Sequence, residues 1–171
     1  MFTNHKTKGF TLVETLVALS ILSIALAGTY TMISYNLRSA KGIQNSFIAS
    51  GLAQEGLEVV RNLRDTDWFA ENPFGSLGSP DDPPRTGFTY WVQWDSLSLL
   101  SADPGPLLLN SAGMYQYDGG TPTIFSRTVN VKRIDPGTGP VPELIVTVNV
   151  AWSEGSGTKN LQGEEHLFNW Y

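Results

Sequence analysis

The sequence predicts an α+β protein: one long N-terminal helix, with a membrane-spanning first half, packed on an antiparallel β-sheet head. Three observations predict it. Charge is nearly absent from Phe10 to Leu37, all ten prolines lie at Pro73 or later, and two-residue alternation begins only after that point. At 171 residues and 41% hydrophobic composition, the chain can bury a core and still carry one long extra element.

Residues 1–9 are polar and include His5, Lys6 and Lys8. From Phe10 to Ile33 the one charged residue is Glu14. That stretch makes roughly 36 Å of helix at about 1.5 Å per residue. A bilayer core of about 30 Å needs about 20 residues, so the segment can span. Lys6 and Lys8 precede it, and the positive-inside tendency keeps residues 1–9 cytoplasmic. By length the stretch suits a plain anchor. It exceeds the roughly 7–15 apolar residues of a secretory signal, although Ala25-Leu26-Ala27-Gly28 offers ordinary secretion a small-residue cleavage site. A carboxylate inside such a span costs on the order of 2.5–3.5 kcal/mol on insertion scales. Glu14 is therefore a candidate functional residue, unless it lies shallow enough to reach the headgroups.

Lys8-Gly9-Phe10-Thr11-Leu12-Val13-Glu14 resembles the prepilin processing motif of type IV pilins and type II secretion pseudopilins. The motif combines a basic leader, Gly-Phe, a glutamate at fixed spacing and a following apolar span. The resemblance implies cleavage between Gly9 and Phe10 by prepilin peptidase, N-methylation of Phe10, and a role for Glu14 as the assembly carboxylate. In that family the glutamate pairs with the terminal amine of a neighbouring subunit. It also implies a pilin fold, an assembly platform in the bacterial inner membrane, and membrane lipid around the helix before assembly. The head is then extracytoplasmic, and the final location is an extracellular or periplasmic filament of pilin subunits. Losing Lys6 and Lys8 leaves nine basic residues against 16 acidic ones, a net charge of −7.

Nothing stops the helix at Ile33. Up to Arg64 there is no proline, and Leu37, Ala40, Ile43, Phe47, Leu52, Val59, Val60 and Leu63 recur at three-to-four spacing. Asp65-Thr66-Asp67 reads as the break, with Arg61 and Arg64 in the last turn. The expected organisation is a leader over 1–9, a transmembrane and assembly half over 10–34, an amphipathic half over 35–64, and a loop with a β-sheet head over 65–171. Gly28, Gly42, Gly51 and Gly56 interrupt the helix, and close packing is the simplest reason for them. Many major pilins have a helix-kinking proline where this chain has Thr31; without it, Gly28 is left as the weaker candidate for a place where the helix loosens in the filament. The helix end, Ala53 to Arg64, looks like that of minor pilins and pseudopilins of the PilV or GspI kind, with Glu55, Glu58 and Arg61 read as exposed.

Residues 65–86 are rich in turn formers. Strands are expected over 87–94, 125–134, 144–152 and 161–170. Phe125, Val129 and Val131 alternate with Ser126, Thr128, Asn130 and Lys132. The run Asp135 to Pro140 suggests a hairpin turn, and Glu154–Asn160 reads as a Gly-Ser loop. Ser96–Gly120 resolves into neither strand nor loop, with Leu97, Leu99, Leu100 and Leu107–Leu109 able to serve in either.

No catalytic constellation emerges, and no enzyme activity or cofactor is expected. Cysteine is absent, which removes disulfides and thiolate chemistry. His166 remains after cleavage and reads as a surface residue beside Glu164 and Glu165. Asp65, Asp67, Glu71, Asp81 and Asp82 offer oxygen donors without a regular calcium-ligand spacing. Trp91, Trp94, Trp152 and Trp170 read as core before they read as a carbohydrate patch. The net charge of −5 argues against nucleic acid as partner. The leading function is a structural filament subunit, a minor pilin. The alternatives are a pseudopilin of a type II secretion system and an adhesin or DNA-uptake tip pilin.

Overall fold

The structure, a computed structural model, describes residues 9–79, 84–134, 137 and 141–169. The chain divides into two units, Met1–Ile43 and Gln44–Tyr171. One helix, α1 (Leu12–Phe69), contributes to both. In the first unit α1 exposes apolar side chains all round: Leu12, Val17, Ile24 and Ile33 are each more than half exposed. The helix is long and apolar enough to cross a membrane, and none of its apolar window is buried. Four of its hydroxyls bond within the helix. Ser20 donates to the Leu16 carbonyl, Ser23 to Leu19, Thr29 to Ala25 and Thr31 to Gly28, all at 2.8–2.9 Å. Such back-bonding gives these four hydroxyls a partner that does not depend on water.

In the second unit α1 buries Ala49, Leu52, Gly56, Val60 and Leu63, a single face at three-to-four spacing. That face lies on a four-stranded antiparallel sheet. Its strands are β1 (Thr89–Tyr90), β5 (Phe125–Ile134), β6 (Glu143–Glu154) and β7 (Gly157–Phe168), in the order β1-β5-β6-β7. The inner positions pair in register, Val129 with Val148 and Val131 with Val146, and all four valines are buried. A second sheet joins β2 (Leu108–Leu109), β3 (Tyr115–Gln116) and β4 (Thr121–Pro122) in the order β3-β2-β4.

Helix and sheet meet at backbone range. A Cβ added at Gly56 would lie 2.9 Å from Val148 Cγ1 and 3.2 Å from Arg127 Cδ. At Gly51 it would meet nothing within 4 Å. The two glycines therefore predict opposite signs. Gly51→Ala should stabilise by about 0.5–1 kcal/mol through helix propensity. Gly56→Ala should destabilise by about 1 kcal/mol, because overpacking a filled core outweighs that gain. Melting temperatures of both variants check this, and a stabilised Gly56→Ala would show that the packing yields.

Several expectations are corrected. The helix ends at Phe69 and not at Arg64, and its last turn holds no basic residue. Asp67 does not break it. Its buried carboxylate accepts from the Gly78 N–H at 2.9 Å and the Asn72 side-chain amide at 3.0 Å. The end is a Schellman motif: Asn72 N–H donates to the Asp67 carbonyl and Glu71 N–H to that of Trp68, with Glu71 at φ 57°. Leu37, Ile43 and Phe47 are 67–81% exposed; Ile43 and Phe47 lie on the face opposite the buried one, which begins at Asn45. The strand expected over 87–94 shortens to Thr89–Tyr90 plus one bridge, Trp91 with Leu100. The expected Gly-Ser loop is a two-residue hairpin. Glu154 pairs with Gly157, and Gly155 at φ 62° takes the first turn position, where glycine is favoured. Most of the 135–140 turn, together with Asp81, Asp82 and Trp170, lies outside the described residues.

Candidate functional site

The first described residues show how the processing motif is presented. Gly9 and Phe10 are non-helical and exposed, Phe10 by 82%. Thr11 caps the helix, because its Oγ1 accepts from the Glu14 backbone N–H at 3.2 Å. Its carbonyl accepts from the Thr15 N–H at the same distance. Glu14 thus occupies the third helical position, where a carboxylate meets the positive end of the helix dipole. The Gly9–Phe10 bond precedes the cap in non-helical, exposed chain. His5, Lys6 and Lys8 lie outside the described residues.

The head contains a buried polar centre that the sequence reading passed over. Arg127 on β5 is fully buried. One terminal nitrogen donates to the Leu52 carbonyl on α1 at 2.9 Å and to Glu55 Oε1 at 3.0 Å. The other donates to the Val92 carbonyl at 2.7 Å. One side chain therefore ties helix, sheet and the chain after β1 together. Glu55, read as exposed, is half-buried and paired. Tyr117 donates to the Arg127 carbonyl, and its own burial raises its pKa against the opposing effect of the Arg127 charge. The signal was available. Arg127 has the parity of Phe125, Val129 and Val131, and an arginine on an apolar face calls for a partner.

The remaining candidates separate. His166 is exposed, as expected. It hydrogen-bonds to Glu143 on the neighbouring strand and lies 3.5 Å from Glu164. The Glu143 bond holds its pKa above the usual histidine value, against a smaller effect of desolvation. The charged tie is therefore complete below the ordinary histidine pKa and is lost as pH rises through the raised one. Asp65 pairs with Arg64 at 2.5 Å, and Asp67 is bonded to Gly78 and Asn72. Among the described residues no group of three or more His, Asp or Glu is placed to hold a metal ion. Trp152 is core, whereas Trp94 is 48% exposed.

Comparison with known proteins agrees with the N-terminal geometry. The family described as the prokaryotic N-terminal methylation motif matches residues 4–30. No curated protein and no solved structure matches the chain. The motif, the apolar helix and the helix-on-sheet head make a pilin-like α+β architecture. They support a type IV pilin-like protein, and fit one anchored in a membrane.

Proposed function

We propose that this chain is a structural subunit, a minor pilin, of a type IV pilus-like filament. The observation that carries the reading is one coincidence. The methylation-motif match, residues 4–30, runs into a helix capped at Thr11 whose first two dozen residues expose apolar side chains on all sides. Such a surface requires lipid or other subunits around it. In this reading prepilin peptidase removes residues 1–9, and Phe10 is N-methylated. The 10–34 segment crosses the bacterial inner membrane with the head outside the cytoplasm. The mature subunit then joins other pilin subunits through Glu14 on an assembly platform, entering an extracellular or periplasmic filament. The same motif serves pseudopilins of type II secretion. A deletion strain that loses secretion and keeps its surface filaments would assign the chain there.

The test is intact mass and N-terminal sequencing of the protein from cells that contain the cognate peptidase. A chain beginning at N-methylated Phe10 is expected. One beginning at Met1 would leave a plain anchor, and one beginning near Thr29 would mean ordinary secretion.

A further inference from the structure

We infer that the outer edge of β7 pairs with the same edge of a second copy of this chain, joining two four-stranded sheets into one antiparallel sheet. The hydrogen-bond directions define that edge. Asn169 N–H donates to the Pro142 carbonyl at 2.9 Å, one step beyond the Glu143–Phe168 pair of the β6–β7 register. Bonded and non-bonded pairs alternate along an antiparallel ladder. Every second residue from Asn169 back to Gly157 therefore bonds to β6. The N–H and C=O groups of Thr158, Asn160, Gln162, Glu164 and His166 point the other way. Among the described residues no backbone group pairs with them.

The opposite edge of the sheet is closed by the head itself. The Phe125 carbonyl accepts from Leu107 N–H, the Arg127 carbonyl from the Tyr117 hydroxyl, and Arg133 N–H donates to Thr86. Tyr90 pairs with Val129 between them. β7, by contrast, holds twelve residues in unbroken register without a proline or a bulge to blunt it.

The edge sets its own register. Five outward residues centred on Gln162 all find partners when Gln162 faces Gln162 across a two-fold axis. That register also places opposite charges together, because Lys159 then faces Glu165 at both ends. Lys159 is exposed, and Glu165 binds Arg61 through Oε1, leaving Oε2 for a second cation. Asn160 faces Glu164 on the other side of the sheet. Leu161 faces Gly163, whose missing side chain leaves room beside Leu57. Leu57 and Leu161 are each partly buried against the core, and the pairing extends that burial.

The helices do not obstruct it. Gly56 of α1 lies against Val148 of β6, so three strand spacings, roughly 14 Å, separate the two copies of α1. Packed helices need about 8–10 Å. The two copies of α1 run in opposite directions over the joined sheet, so the pairing joins subunits of separate filaments and not neighbours in one membrane. That sense rests on the proposed function, whereas the pairing itself does not.

The test is sedimentation of the full chain in maltoside micelles, with cross-linking of single-cysteine variants, since the chain has no cysteine of its own. Gln162→Cys lies on the axis and should give a linked dimer on oxidation with copper phenanthroline. Asn160→Cys lies about 14 Å from its copy, beyond the roughly 7 Å that a disulfide can bridge, and should not. Gln162→Pro removes an outward N–H and no bond to β6. It should weaken the dimer at least about tenfold while melting stays unchanged. Lys159→Glu should weaken it several-fold, and more at low salt. A chain still monomeric at about 1 mM would overturn the proposal. So would a dimer that tolerates Gln162→Pro, or one that cross-links equally through Asn160→Cys.

Discussion

Arg127→Ala is expected to destabilise the head by about 3 kcal/mol or more. The substitution removes a fully buried side chain and three hydrogen bonds at once. It leaves a cavity between α1 and β5, and the Val92 carbonyl loses its donor. Glu55 is 34% exposed and can turn toward water, so the loss stays below that of a wholly buried unpaired charge. Arg127→Met separates the contributions. It restores most of the volume without the donors, and should fall between wild type and alanine. Denaturant midpoints of the mature chain in micelles, followed by tryptophan fluorescence, give the ranking. An alanine variant within about 0.5 kcal/mol of wild type would show that the tie between helix and sheet does not depend on the guanidinium.

Glu14→Leu should leave membrane insertion intact and reduce filament incorporation to less than about a tenth. Removing the carboxylate relieves on the order of 2.5–3.5 kcal/mol of insertion cost, so the anchor can only improve. The helix start should survive as well, because Thr11 is bonded to the backbone N–H of residue 14 and not to its side chain. The substitution therefore isolates the carboxylate. Under the proposed assembly, a neighbour's terminal amine would lose its buried counter-charge, and an unpaired buried charge is far costlier than a paired one. Membrane fractionation and the filament-bound fraction are the two readouts. Normal incorporation of Glu14→Leu would end the registration role.

The elements most legible in the sequence were those whose periodicity matched their burial. β5 runs over the residues its alternation marked, 125–134, because its two faces meet a core and solvent. The N-terminal methylation motif was equally legible, being local and specific. The misreadings have physical causes. Asp67 looked like a helix breaker, since sequence does not show that its carboxylate will be taken by Gly78, eleven residues on. Phe47 continues an apolar spacing along α1 but is 81% exposed, because it lies opposite the face that buries Asn45, Ala49 and Leu52. Gly155 and Ser156 read as loop because glycine serves long loops and two-residue turns alike. Arg127 was missed because an arginine between strand residues suggests solvent unless its parity is followed.

The back-bonded hydroxyls of Ser20, Ser23, Thr29 and Thr31 have one more consequence. Each donor is already spent on its own helix, so the segment asks nothing of its surroundings except that they be apolar. To such a surface, acyl chains and the flanks of like helices are equivalent solvents. Moving from one to the other breaks no hydrogen bond, and its free energy rests on packing alone. Glu14 differs from these hydroxyls, since under the proposed assembly its carboxylate would gain a partner in the filament that lipid does not offer. Under the proposed assembly, an otherwise indifferent rod would carry its preference for a destination at a single residue near its tip.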